Sequence, residues 1–318
     1  MSEEKKDKRE ANFEIGPKLL ELLAKLQRVE LEDFEMEVEN LELWLPSAAA
    51  MTIPPKAAVT PTPVLKVKPT RILEEEFIPP IEEYTGMVRE VTLGATKSEG
   101  GSRGKTVTIG GATTPAFYIF EKPPKHPPVV ALDTFDMKVP LPKAIRMHVE
   151  EVMEDPAEWA KLAVNKFGAD VVTIHLLSTD PLIKDASPKE AAKTVEEVLQ
   201  AVDVPIIVGS CGDPRKDAEV FKKVAEVTHG ERVLLSSLTL EMAEAGTLSD
   251  TAKAAKEYGH VALAFTALEL NNAKELNRRL YEFLPEDSIV MDLTTAALGY
   301  GLEYSFTIHE RARLAALM

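Results

Sequence analysis

From about residue 105 onward the chain repeats one pattern, and that pattern limits its fold more than any other feature. Short apolar runs end in small polar residues and lead into helical periodicities: TVTIGG, VVALDTF, VVTIHLL, PIIVGSC, RVLLSSL, HVALAFTA and IVMDLTT. Runs that are apolar on successive residues, rather than alternate ones, belong to parallel strands buried on both faces. Their starts recur roughly every 30 residues, the length of a βα unit. The intervening helix starts are explicit. Asp155-Pro156, Ser187-Pro188 and Asp213-Pro214 each set a capping side chain before a proline at the first helical position, and Glu190 completes a capping box with Ser187.

Seven such units predict an α/β chain whose main domain, residues 85–318, is a TIM (β/α)8-type barrel rather than an open doubly wound sheet. After IVMDLTT one helical pattern runs to Met318, so either the sequence is a fragment lacking strand eight or the barrel closes irregularly. Residues 1–45 read as a small α+β N-terminal module. Ile15, Leu19, Leu22, Leu23 and Leu26 fall on one helical face, and VELEDFEMEVENLELWL then alternates with a period near two. Residues 46–84 read as a linker, because eight of the chain's 22 prolines lie between Pro46 and Pro80.

EGGSRGKTVTI, Glu99–Ile109, imitates a phosphate-binding loop through Gly104-Lys105-Thr106. The first glycine of that motif would stand where Glu99 is, and the loop leads into a strand instead of out of one into a helix. A nucleotide-hydrolase reading is set aside on both grounds. The net charge of −15 opposes binding to nucleic acid or to anionic membranes. No apolar run is long enough to span a bilayer and the charged start has no signal-peptide core, so a cytoplasmic location is expected. Cys211 is the only cysteine, which excludes an internal disulfide and a cysteine-ligated iron–sulfur cluster held by this chain alone. His309-Glu310 begins a zinc motif that Arg313 breaks, and no metal site is expected.

In a barrel of this kind chemistry sits at the carboxyl ends of the strands. Those ends supply Thr113, Asp133, Thr134 and His175, then Ser210, Cys211, Asp213 and Ser236, and finally Thr266, Asp292, Thr294 and Thr295. They are mostly small hydroxyls, without a lysine for a Schiff base or an arginine cluster for phosphate. Each also has a plain structural role. Asp213 fits a helix cap, His175 a hydrogen-bonded core histidine, and Cys211 a buried thiol. Asp133 and Asp292 stand out, since a carboxylate at the end of a buried strand must find a partner or a ligand.

Two segments, LGATKSEGGSRGKTVTIGGATTPAFYIFE (Leu93–Glu121) and MDLTTAALGYGLEYSFTIHERARLAALM (Met291–Met318), resemble the small subunit of the corrinoid/iron–sulfur protein, the delta subunit of the archaeal acetyl-CoA decarbonylase/synthase complex. The resemblance runs over most of residues 85–318 and places TVTIGG as the first barrel strand. It implies a barrel subunit paired with a large subunit that contributes the iron–sulfur cluster and a corrinoid-binding domain. The barrel would cover the corrinoid, a cobalamin-type cofactor shared with that partner, with the strand-end residues above facing it. The implied reaction is methyl transfer from a methyl-tetrahydropterin to cobalt and on to acetyl-CoA synthesis or cleavage. A methyl-tetrahydropterin methyltransferase and an acetyl-CoA synthase subunit are the further implied partners. Catalysis would belong to the complex as a Co-methyltransferase, not to the isolated chain. Family members continue past the RLAAL helix into another strand. Two rival readings remain: a scaffold subunit that does not touch the cofactor, and a stand-alone pterin-dependent barrel methyltransferase.

Overall fold

The computed structural model describes residues 83–115, 124–293, 296 and 299–318. The N-terminal module and all but the last two residues of the linker lie outside them, as do Thr294 and Thr295. All of the described residues fall within one unit, Glu75–Met318.

Six strands form a parallel sheet: β3 (Ala131–Phe135), β4 (Val171–His175), β5 (Ile206–Gly209), β6 (Leu234–Leu238), β7 (Val261–Phe265) and β8 (Ile289–Asp292). Their order in space is their order in sequence. That is the winding of a barrel wall, whereas a doubly wound sheet reverses direction partway. Helices separate the strands: α1 (Lys143–Val149) and α2 (Pro156–Asn165) after β3, then α3 (Pro188–Ala201), α4 (Pro214–Val227), α5 (Leu240–Glu244), α6 (Leu248–Glu257) and α7 (Leu270–Leu280). The last helix, α8 (Leu302–Leu317), follows β8. No helix among the described residues is long and apolar enough to cross a membrane.

The predicted helix starts form as their sequences dictate. Asp155 accepts from the backbone of Ala157 and Glu158, and Asp213 from Arg215 and Lys216. Ser187 and Glu190 exchange the two bonds of a capping box. Each leaves fewer orphan donors at a helix start.

Strand side chains alternate between two buried faces. Val172, Ile206, Val208, Leu235, Ala262 and Ala264 join the helices' apolar stripes, including Val195, Phe221, Val224 and Leu276, in one large core. Their neighbours Ile207, Leu234, Val261, Leu263 and Val290 face the other side and meet Val91, Leu93 and Ile109. These last three come from a hairpin of β1 (Val91–Leu93) and β2 (Val107–Ile109), paired antiparallel. Most of the inner residues it covers stand early in their strands, so the hairpin fills the amino-terminal end of the sheet's inner face.

This corrects the sequence expectation at its first strand. TVTIGG holds β2, which belongs to the hairpin and not to the parallel sheet. Six of the seven anticipated parallel strands are therefore present among the described residues. A β-branched run has the same local pattern in either setting; the antiparallel partner Val91-Thr92-Leu93 decides between them.

The loop between β1 and β2 contains the G-K-T motif, and its groups bond protein. Gly104 N donates to Asp203 O, and Arg103 N to Ala95 O. A Cβ at Gly101 would stand 2.2 Å from Ala95 O, so this glycine permits a close backbone approach. Arg103 is buried. Its Nε lies 2.9 Å from Glu231 Oε2, and Nη1 and Nη2 donate to Val202 O and Leu199 O, carbonyls at the end of α3. One guanidinium thus ties the hairpin loop, the end of α3 and the residue pair before β6. Arg232 adds a second tie, from Nε to Thr92 O at 2.7 Å.

His260, immediately before β7, is also buried at this end. Its Nε2 lies 2.9 Å from Ala225 O, and its Nδ1 accepts from Val233 N–H. Protonating Nδ1 would set two donors against each other, and burial pushes the imidazole down to about 4.

Two outcomes follow. Replacing Arg103 by Met leaves the largely buried Glu231 without its cationic partner, with the Ser102 N–H still donating to it, and should cost about 3 kcal/mol in denaturant unfolding, most of it recovered when Glu231→Leu is added. A single-variant cost below about 1 kcal/mol would show that the tie is dispensable. For His260, the unfolded chain takes up a proton near pH 6.5 and the folded chain near 4. Stability should be indifferent to this group above pH 6.5 and should fall by about 3 kcal/mol between 6.5 and 4. Unfolding of His260→Gln should lose that segment of the acid slope; an unchanged slope would assign it to another group.

Candidate functional site

The carboxyl ends of β3–β8 form the mouth opposite the hairpin. Asp133 and Phe135 on β3 share a face by alternation, and Phe135 lies in register with His175, Gly209 and Ser236 across β4, β5 and β6. His175 Nε2 is 3.3 Å from Asp133 Oδ1. Both side chains reach solvent, at 31% and 61% exposure, so the pair is accessible from the mouth. The contact with His175 holds the Asp133 carboxyl below its ordinary range, against a smaller opposing effect of burial.

The imidazole is held on both sides. Its ring stacks on Phe135 with centroids 5.1 Å apart and planes 21° from parallel, and Phe135 is backed by Trp159 of α2 at 5.5 Å. A Cβ at Gly209 would come within 2.8 Å of Nδ1, so the bare backbone of β5 gives the ring its room. The expected core histidine is instead a clamped, partly exposed one with a carboxylate partner.

Thr134 points the other way. It is fully buried, and its hydroxyl donates to Thr173 O at 2.9 Å. Asp136, just past β3, accepts from the backbone and hydroxyl of Ser178 and so holds the start of the β4 loop.

At the end of β5 a small polar cluster centres on Asp217, which is buried on α4. Its carboxylate accepts from Cys211 N and Gly212 N, and lies 3.1 Å from Cys211 Sγ. Burial raises the Asp217 carboxyl. Burial also raises the Cys211 thiol, and the adjacent Asp217 adds to the effect, so the sulfur stays a protonated donor. Ser210 Oγ reaches Thr179 Oγ1 at 3.5 Å. Asp213 caps α4.

On the far side, β6 shifts register between Ser236 and Leu238 and carries a cis peptide between Ser236 and Ser237. Thr266, one residue past β7, is buried with Oγ1 lacking a hydrogen-bond partner among the described residues, while its N–H donates to Asp292 O. Asp292 is half-buried opposite Phe265. Thr113 follows β2, which is no strand of the parallel sheet, so the strand-end argument that nominated it does not apply. Among the described residues, no group of three or more His, Cys, Asp or Glu side chains is placed to hold a metal ion.

Three contributors were absent from the sequence-based set. Asp217 could have been found, because it falls on the buried stripe of α4 with Val220, Phe221 and Val224. Phe135 shares its strand parity with Asp133. Gly209 carried no signal, since its importance depends on which side chain lies above it.

The family model described as CO dehydrogenase/acetyl-CoA synthase delta subunit matches residues 90–318. The acetyl-CoA decarbonylase/synthase complex subunit delta of Archaeoglobus fulgidus is 54% identical over 244 residues, covering 76% of this chain and 53% of that protein. The subunit delta 1 of Methanosarcina thermophila is 54% identical over 240 residues, 75% of this chain and 54% of its own length. The subunit delta of Methanocaldococcus jannaschii is 46% identical over 303 residues, 94% of this chain and 73% of its own length. The chain thus spans about half the length of the first two relatives. With a matching family model over its whole parallel sheet and relatives at this identity, the chain belongs to the CO dehydrogenase/acetyl-CoA synthase delta subunit family.

Proposed function

We propose that the carboxyl-end mouth of this chain covers a corrinoid held by a larger iron–sulfur partner subunit. The occasion is methyl transfer from a methyl-tetrahydropterin to cobalt and onward to acetyl-CoA synthesis or cleavage. Support comes from the family and from the donor set. The relatives are, by name, subunits of an acetyl-CoA decarbonylase/synthase complex.

The donor set is what carries the reading. Ser236 and Ser210 carry hydroxyls able to hydrogen-bond amide side chains of a large macrocycle. The thiol able to compete for a metal or a methyl group, that of Cys211, is already engaged, held in its protonated form against Asp217, and the Nε2 edge of His175 faces Asp133. When bound, a corrinoid supplies the methyl-accepting chemistry itself; the chain's residues position it and limit water around it. The iron–sulfur cluster belongs to the partner in this reading, in keeping with a single cysteine.

Co-expression with the iron–sulfur partner and purification through this chain should yield a complex with both corrin and iron–sulfur absorption. Ser236 lies in register with Gly209 at the mouth. In Ser236→Leu the added bulk should lower corrin content several-fold while iron–sulfur absorption stays constant. Full corrin content in that variant would instead favour a scaffold that does not touch the cofactor. Methyl transfer by the isolated chain would favour a stand-alone enzyme.

A further inference from the structure

Covering a cofactor does not require a histidine–carboxylate pair, yet the mouth contains one with a defined orientation. Asp133 Oδ1 lies 3.3 Å from His175 Nε2. A carboxylate there favours the imidazole proton on Nε2 and leaves the lone pair on Nδ1. Nδ1 sits over Gly209 and has no hydrogen-bond partner among the described residues. Phe135 fixes the plane of the ring.

Other ionisable groups nearby are committed elsewhere. On the β3 side Asp136 accepts from Ser178. On the β5 side Asp217 accepts from Cys211 and Gly212. Asp133 is thus the carboxylate that faces the ring, at a position open to solvent.

We propose that His175 is the proton-transfer residue of the mouth, its Nδ1 exchanging a proton with the amine nitrogen of the methyl donor. This rests on the methyl-transfer reading above. A tertiary amine is a very poor leaving group as an amide anion, so cleavage of its N–CH3 bond needs a proton on that nitrogen. In the step, the ring starts doubly protonated, having taken a solvent proton on Nδ1; the C–N bond breaks and its electron pair stays on nitrogen, which takes that proton from Nδ1. The methyl carbon bonds to the electron pair of the acceptor, by class a low-valent cobalt corrinoid, which is formally oxidised by two electrons. His175 is left neutral and regains its proton from solvent once the mouth is uncovered again. In the reverse direction the same atom acts as base.

The test uses the complex with the iron–sulfur partner. His175→Gln should keep its corrin and iron–sulfur absorption but transfer methyl groups from methyl-tetrahydropterin about 100-fold more slowly. Wild-type kcat/KM should fall as pH rises, and the variant's profile should lack that limb. Gly209→Ala, which pushes on Nδ1, should reproduce part of the loss. In the full chain alone, nitrogen-15 shifts should report the Nε2–H tautomer, and Asp133→Asn should weaken that preference. A wild-type pH profile in His175→Gln would overturn the proposal, as would loss of corrin from that variant. A wild-type complex holding no corrin removes the covering role and this proposal together, whereas a corrin-loaded complex with an unaltered variant profile removes only this proposal.

Discussion

Everything in this chain depends on a parallel sheet that must bury both of its faces. The outer face has the helices. Among the described residues the inner face is covered by the strands' own side chains and the β1–β2 hairpin, which meets mainly the early residues of the strands: Leu234, Val261, Ile207 and Val290. Apolar side chains are consequently required at the amino-terminal end. At the other end, water and ligands reach the inner face, and polar residues such as Asp133, His175 and Ser236 carry little desolvation cost. The chemical asymmetry of the molecule is a consequence of where the hairpin sits.

The amino-terminal end is tied as well as filled. Arg103 and Arg232 each join the hairpin to segments far away in sequence, and Arg103 does so while buried. A buried guanidinium is stable only with its donors satisfied, and here a carboxylate and backbone carbonyls satisfy them. The loop bearing Gly104-Lys105-Thr106 exists to deliver that side chain. Its resemblance to a phosphate loop is a product of the same need, since glycine serves wherever backbones must approach closely, whether the neighbour is a phosphate or Ala95 O.

Local features were legible in the sequence and partner choice was not. The caps at Asp155, Ser187 and Asp213 are decided within four residues, so their sequences suffice. The alternation of strands with helices is equally local. TVTIGG misleads because its strand character is real but its partner lies 16 residues back, in a run of three. At the mouth, the strand-end rule nominated Asp133 and His175, which the fold brings within 3.3 Å of each other, and also Thr134, whose side chain points outward. The period of two separates Asp133 from Thr134 without any coordinates. Gly209 could not be read at all: its significance is the empty volume under another strand's imidazole.

The two polar groupings of the mouth differ in a way that follows from burial. Asp133 and His175 face solvent, and their pairing lowers the carboxyl. Asp217 and Cys211 are more enclosed, and enclosure raises both groups, which favours neutral forms. A thiolate beside a carboxylate in that setting would place two negative charges within 3.1 Å of each other with little water to screen them. One pair is therefore open to solvent and the other closed. For the covering role proposed above, that difference withholds the chain's single thiol from a methyl-accepting centre, and it does so with ordinary side chains: Cys211 just past β5 and Asp217 on α4.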